Sequence, residues 1–362
     1  MIISDKNKSI VWLTADYFLD SDMQIVPMLK QKFNIIWFII RNERSQREVS
    51  FAKEADEIIS VKHRSLSPLC IFSYIHLIKK IKKYNPDILY IDYLGMPYFF
   101  PVLDKMFDIN KVIFMAHNVK PRPTWNWQYR WYYPFIFHHI KNVHVPSTHN
   151  FSYMDEHYPN LKYTYIPMAV KSFGKASVGR IDDGKTRFLF FGHVMKNKHL
   201  DHLIEAFCGL SEEDKMKSEL YVYGKCLTPD IYENMAQEEK TIHLNFGYVP
   251  NEQIPALFTS SSYLVLPYDN VDQSGPSMIA FNYNLPLICS DIEGFREIVN
   301  DGKDGFLYKR DDVQDLRQVL HRSINMTDLE YQTIRRNQKD NVEKTYSLEV
   351  ISQKYSDMFN NL

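Results

Sequence analysis

Twelve short apolar runs alternate with helix-length segments along the chain, and this alternation limits the possible folds more than any other feature of the sequence. In the first half the runs are residues 9–15 (SIVWLTA), 34–40 (NIIWFII), 88–92 (ILYID), 112–118 (VIFMAHN), 143–147 (VHVPS) and 164–168 (TYIPM). In the second half they are 187–194 (RFLFFGHV), 219–224 (ELYVYG), 241–249 (TIHLNFGYV), 263–268 (YLVLPY), 286–291 (PLICSD) and 305–308 (GFLY). Strands that are almost continuously apolar have no wet face. They belong in parallel sheets covered by helices on both sides. Between them, residues 69–84 repeat Ile71, Tyr74, Ile75, Ile78 and Ile81 at helical spacing. Segments 199–210 and 251–261 also read as helices, the latter with Asn251 as its N-cap.

A chain of 362 residues is too long for one ordinary core, so two such units in series are expected. Residues 171–186 (KSFGKASVGRIDDGKT) have no apolar period and read as the linker between them. Residues 1–172 carry 22 Lys and Arg against 15 Asp and Glu, and the rest carry 21 against 29. A basic half beside an acidic half fits units with different partners. The basic half suits an anionic surface such as a membrane, or the two halves simply attract each other. The basic end of helix 69–84, KKIKK, reads as a solvated terminus, with lipid contact as the alternative. No apolar run approaches the ~18 residues of a membrane span, and the first residues lack the order of a signal peptide. Cys70, Cys208, Cys226 and Cys289 show no paired spacing, which reads as free thiols in a reducing cytoplasm and argues against a zinc site.

Ligands of open parallel sheets sit beyond the C-terminal strand ends, so the loops that follow the strands matter most. After residues 187–194, Gly192 and His193 lead to Lys198 and an amphipathic helix. A helix start beside a lysine suits a diphosphate, although many such turns are only architectural. After 241–249, the backbone at Tyr248 and Val249 offers a place for a flat base to stack. After 263–268 comes DNVDQSGPSMIAF, with Asp272, Gln273, Ser274, Gly275, Pro276 and Ser277. Pro276 suits a first helical turn, Ser274 suits a cap, and the N–H groups of Gly275, Ser277 and Met278 are expected to be open to an anion. The bland reading of that loop is a well-capped surface turn. In the first half, His117 and Asn118 end a strand. There His117 is either a satisfied structural histidine or a group that orients a substrate hydroxyl. Residues 123–140 hold ten aromatic or histidine side chains from Trp125 to His139 and read as a bulky buried helix, or less simply as a sugar- or lipid-facing patch.

The order FFGHVMKNKHLDHLIEAF, FGYVPNEQIPALFTSSSYLVLPY and QSGPSMIAFNYNLPLICSDIEGFREIVNDGKDGFLY, over residues 187–308, resembles the glycosyltransferases of family 4 with the GT-B fold. The first half resembles them more faintly through VIFMAHNV, VHVPSTHN and YIPMAV. The resemblance implies two doubly wound, Rossmann-like α/β domains facing a cleft. Residues 1–172 would bind the acceptor, 173–345 the nucleotide-sugar, and 346–362 would form a helix returning to the first domain. It also implies that Lys198 binds the donor diphosphate and that His117 positions the sugar or acceptor. The accompanying arginine is absent, its place taken by His193 or Met195. The family's two glutamates would fall at Val271 and Ile279, so both are missing, the first as in a subset of the family whose loop reads QSG. Its glycine-rich N-terminal loop is also missing, with Asp16, Asp20 or Asp22 in that place.

Such a chain is expected to be a metal-independent retaining glycosyltransferase. It would act with a UDP- or GDP-linked sugar and no other cofactor on a glycan or lipid-linked acceptor in surface polysaccharide synthesis. The site would combine His117 and Lys198 with Gly192, His193, Tyr248, Val249 and residues 272–277 for the donor, and Asp16, Asp20 and Asn118 for the acceptor. It would lie in the cytoplasm at the inner face of the membrane, with no nucleic-acid partner. The competing readings are a non-catalytic GT-B protein that binds a glycan or partner enzyme, and a nucleotide-sugar epimerase of the same fold.

Overall fold

The computed structural model of the chain describes residues 8–42, 45, 53–63, 66–92, 97–120, 126–176, 179, 181 and 183–362. It divides into two compact units, Met1–Ala169 with Leu348–Leu362, and Val170–Ser347.

The first unit is built on seven parallel strands: β1 (Ser9–Ala15), β2 (Asn34–Asn42), β3 (Glu57–Val61), β4 (Ile88–Asp92), β5 (Val112–Met115), β6 (Asn142–Val145) and β7 (Lys162–Tyr165). Their order is β3-β2-β1-β4-β5-β6-β7. Alternation along β1 separates two cores. Val11 and Leu13 face one side with Phe38, Ile91 and Phe114, beneath helices Cys70–Lys83 and Trp127–His139. Ile10 and Trp12 face the other side with Trp37, Ile39 and Tyr90. Helix Leu19–Lys30 covers that face together with the final helix, Leu348–Asn360, whose Tyr355 and Phe359 rings contact Trp12. β3 has no long apolar run because it is an edge strand with every second residue exposed, and its Glu57 pairs with Lys80 at 2.6 Å. In helix Trp127–His139, Tyr132, Tyr133, Ile136 and Phe137 are buried, while Trp127 and Trp131 are exposed. Trp125, part of the same aromatic run, lies outside the described residues.

The second unit has six parallel strands: β8 (Thr186–Phe191), β9 (Ser218–Gly224), β10 (Ile242–Phe246), β11 (Tyr263–Leu266), β12 (Leu287–Ser290) and β13 (Gly305–Tyr308), ordered β10-β9-β8-β11-β12-β13. Two details differ from expectation. The segment read as a linker is tied at its start to helix Gly275–Asn282. There Lys171 N–H donates to the Met278 carbonyl (3.1 Å), and the Tyr283 hydroxyl bridges Phe173 N–H and the Gly174 carbonyl. Its residues 177, 178, 180 and 182 lie outside the described ones. Asn251 is not a helix cap: Pro250 starts a short 3-10 turn, Asn251–Gln253, and the helix proper is Ile254–Ser260. Pro255, with its fixed φ, suits the first turn there.

The face of the first sheet that carries Trp12 and Tyr90 contains a buried polar chain. His144 Nδ1 accepts from the Tyr90 hydroxyl (2.7 Å), and its Nε2–H donates to the Ile166 carbonyl (2.7 Å). Tyr355 completes the chain, its hydroxyl 3.3 Å from that of Tyr90. Burial is the main cause that pushes the His144 pKa down to about 4. The unfolded imidazole takes a proton near pH 6.5 and the folded one does not, so this contribution to stability is complete above pH 6.5 and is lost as pH falls toward 4. The expected slope is about 1.4 kcal/mol per pH unit. In an NMR titration, the His144 ring signals should therefore stay constant from pH 8 down to 5.

Candidate functional site

In each sheet the strand order reverses at one place: between β1 and β4 in the first unit, and between β8 and β11 in the second. Loops at such a reversal diverge and leave a crevice at the C-terminal strand ends. The residues singled out in the sequence fall largely on these loops.

In the second unit, β8 is followed by Gly192, whose φ is +119°. Its N–H donates to the Tyr223 carbonyl, and Val194 N–H to that of Lys225. At Gly224 (φ +150°) a Cβ would lie 1.9 Å from the Gly192 carbonyl oxygen, so the two loops cross backbone on backbone. The chain then makes a 3-10 turn, Lys196–Lys198, and enters helix Leu200–Cys208 through His199, which has φ +41°. This route brings the Lys198 ammonium to 3.5 Å from where a Cβ of Gly192 would stand, with the Pro276 ring 3.6 Å from the same point. The ammonium also lies 4.9 Å from the centre of the Tyr268 ring. No carboxylate among the described residues pairs with Lys198, and burial holds its pKa below the usual lysine value. A desolvated cation without a counter-charge favours an anion beside it.

The loop after β11 closes on the same place. Asp269 N–H donates to the Asn197 carbonyl (3.0 Å), and its carboxylate meets His199 Nε2 at 2.6 Å, so the two loops are joined. Ser274 caps helix Gly275–Asn282, accepting from Ser277 N–H. The expectation that the amides of Ser277 and Met278 stand open is corrected: the first bonds the Ser274 hydroxyl and the second its carbonyl (3.3 Å each). Pro276 has no N–H, so only the Gly275 amide of this set is not taken up by the cap. Three side-chain polar atoms of this stretch, Tyr268 Oη, Gln273 Nε2 and Ser277 Oγ, are buried without a hydrogen bond. Such a concentration of unsatisfied groups is unusual in a native core. Val271 is held by its neighbour: a Cβ on Gly294 would lie 2.2 Å from the Val271 carbonyl oxygen. Ile279 is 5% exposed, within the apolar core rather than on the crevice.

Other expected residues are more open to solvent. His193 is exposed at the loop surface, Asp272 is half-buried, and Tyr248, after edge strand β10, is 82% exposed with Val249 half-buried beside it. Lys171 was passed over because it falls in the segment read as a linker. Its ammonium lies 3.6 Å from where a Cβ of Gly275 would be, at the start of the capped helix. His199 with Asp201 and His202, and His199 with Asp269 and Asp311, each gather ligand-type atoms within 4.8 Å. The His199 and His202 rings are stacked (centroids 4.2 Å), so their in-plane lone pairs run side by side rather than converging. This cluster reads as the tie between two loops.

In the first unit, His117 is buried behind β5. Its ring stacks on Phe18 (centroids 3.9 Å), and its Nε2 bonds Asp92, the last residue of β4. Asn118 is half-buried next to it. Of the N-terminal acids, Asp16 accepts from the Ser45 hydroxyl and Asp20 is exposed on the first turn of helix Leu19–Lys30. The buried acid is Asp22, which accepts from Trp12 Nε1 (2.9 Å) and from the Thr14 hydroxyl. Burial first, and Asp92 second, raise its pKa well above the carboxylate range. The sequence carried a signal for it: the buried stripe of that helix is Leu19, Asp22, Ile25, Val26 and Leu29, with an acid at an apolar position.

Residues 175–340 match the family Glycosyl transferases group 1. An uncharacterized 41.2 kDa protein in the cps region of Klebsiella pneumoniae is 23% identical over 146 residues, which cover 40% of this chain and 39% of that protein's length. Among solved structures, sucrose-phosphate synthase from Thermosynechococcus elongatus is similar with a TM-score of 0.76 at 13% identity, covering 98% of this chain and 99% of the other. Anabaena HepE, solved in complex with UDP-glucose, is similar with a TM-score of 0.75 at 11% identity, covering 98% and 100%. Two parallel-sheet α/β units with these neighbours define the GT-B fold. The family match adds support for glycosyl transfer as the class of activity.

The backbone crossing gives a direct test. Gly224→Ala should lower unfolding stability by more than about 2 kcal/mol in urea titrations. Gly179→Ala, exposed and with open space around it, should stay within about 0.5 kcal/mol of the parent.

Proposed function

We propose that the chain is a retaining glycosyltransferase that takes a sugar from a UDP- or GDP-linked donor to a glycan or lipid-linked acceptor in surface polysaccharide synthesis. The observation that carries this reading is the uncompensated Lys198 ammonium, set against Gly192 and the first turn of helix Gly275–Asn282. It is suited to take up the charge that develops on a leaving diphosphate, in a place where water screens it little. Gly192 leaves room for a phosphate to approach the backbone, and Lys171 adds a second cation at the helix start. Gln273, half-buried with its Nε2 unpartnered, has hydrogen-bonding capacity to spend on the sugar or ribose, in place of the absent glutamates. Donor binding is assigned to the second unit. The first unit would bind the acceptor, with His117 orienting a hydroxyl. Its basic character would favour an anionic membrane face, and the protein would work in the cytoplasm. No helix among the described residues is long and apolar enough to cross a membrane.

Ile279 buried where the family carries a ribose-binding glutamate favours a second reading, a protein of the same fold that binds a glycan or nucleotide without turnover.

A thermal-shift panel of UDP, GDP and CMP with their common sugars separates the two. One nucleotide at about 100 times its dissociation constant should stabilise by ~2.7 kcal/mol. Lys198→Ala should remove most of that shift and lower kcat by about a hundredfold or more. A panel without any shift moves the conclusion to the second reading, and full turnover by Lys198→Ala removes lysine from the leaving-group role.

A further inference from the structure

The polar groups behind His117 form a buried hydrogen-bonded chain that ends on one nitrogen of its ring. The register of β1 on β4 sets Thr14 beside Asp92, and β2 sets Trp37 beside Trp12. Helix Leu19–Lys30 lays Asp22 over them. Indole nitrogens only donate. Trp37 Nε1–H therefore donates to the Thr14 hydroxyl oxygen (3.0 Å), and the Thr14 hydroxyl donates to Asp22 Oδ2. Trp12 Nε1–H donates to that same oxygen. Thr14 bonds Asp22 and stands beside Asp92 in the register, so the two buried carboxyl groups are neighbours whose charges repel, and a shared proton relieves that repulsion. Asp22 and Asp92 are each 2% exposed, so no water competes for that proton. Asp92 Oδ1 is then left to accept from His117 Nε2. The other titratable groups on this face, Tyr90, His144 and Tyr355, are bonded among themselves. His117 Nδ1 makes no hydrogen bond among the described residues.

We propose that Asp22 and Asp92 are positioning residues for His117. In this arrangement Asp22 is a neutral acid that donates to Asp92. Asp92 as carboxylate accepts Nε2–H, and the ring, clamped by Phe18, presents a bare Nδ1 as acceptor for a substrate hydroxyl. The last step rests on the glycosyltransferase reading, whereas the protonation pattern stands without it. The site thus selects a ligand that brings a hydroxyl donor, such as a sugar or polyol. An anion, which offers only acceptors, finds no partner at Nδ1.

Nitrogen NMR on the full chain with ¹⁵N-histidine, His117 being assigned through His117→Gln, reads the tautomer. The expected result at pH 7 is a protonated Nε2 and an unprotonated Nδ1. Asp22→Asn mimics a protonated acid, with an oxygen for Trp12 and Thr14 and an N–H for Asp92, and should keep that tautomer. Asp92→Asn keeps one oxygen for two donors, so its amide N–H faces either His117, whose Nε2 then loses its proton to Nδ1, or Asp22, which then ionises: an inverted tautomer or a lost acid band is expected. Infrared difference spectra of wild type against Asp22→Asn should show a carboxylic acid band that moves in D₂O. A protonated Nδ1 in the wild type, no acid band in the wild type, or an Asp92→Asn variant that keeps both the tautomer and the acid band overturns the inference, whatever the activity. If the chain turns over a donor, Asp92→Asn should lower kcat at least tenfold and leave nucleotide affinity within about threefold. Unchanged kcat with an inverted tautomer removes His117 Nδ1 from acceptor binding and leaves the donor site untouched.

Discussion

Inside a parallel sheet covered on both faces, a side chain has no solvent to turn toward until its strand ends. Burying a polar group there costs stability unless a partner is provided. In both units, accordingly, Ile10–Leu13, Ile88–Ile91 and Tyr263–Leu266 are buried and largely apolar, and polar chemistry gathers where those strands stop. Thr14 and Asp92 sit at the ends of β1 and β4, and Gly192 and Tyr268 just past β8 and β11. Because both sheets reverse their strand order at those points, the loops diverge where the polar residues lie. The position of the candidate sites follows from the burial of the strands.

The two units solve the same problem differently. In the first, buried acids are satisfied by indole, hydroxyl and imidazole partners, and the cluster has little left to offer beyond one ring nitrogen. In the second, the residues are left incomplete: an ammonium without a carboxylate, and an amide and two hydroxyls without partners. A closed network holds a shape, and an incomplete one favours a ligand that completes it. That contrast fits an orienting task for the first unit and anion binding for the second.

The fold was legible because its signal is strong and local. Residues 9–15, 88–92 and 305–308 are strands with the bounds read from their apolar runs. β3 was missed because an edge strand shows one face to water, and alternation over five residues is a weak signal. Lys198, Gly192, Ser274 and Pro276 were legible as a strand–loop–helix pattern, and the structure sets Gly192, Lys198 and Pro276 side by side. Tyr268, Lys171 and Asp92 were not, since each acts through a partner distant in sequence. The Ser277 and Met278 amides were misread because sequence shows a helix start but not which of its donors the cap consumes.

The first unit is made of the two ends of the chain. Trp12, Tyr90 and the rest of that face lie under Leu348–Asn360, and the whole of Val170–Ser347 comes between. On the ribosome, the second unit is therefore the first to have all of its residues. The N-terminal sheet waits with one apolar face only partly covered, by helix Leu19–Lys30, until Leu348–Asn360 emerges. Exposed apolar surface of this kind invites chaperones or aggregation. Nascent chains stalled before Leu348 are thus expected to carry one finished unit and one sticky one, and completion of the first unit reports that translation has reached the final helix.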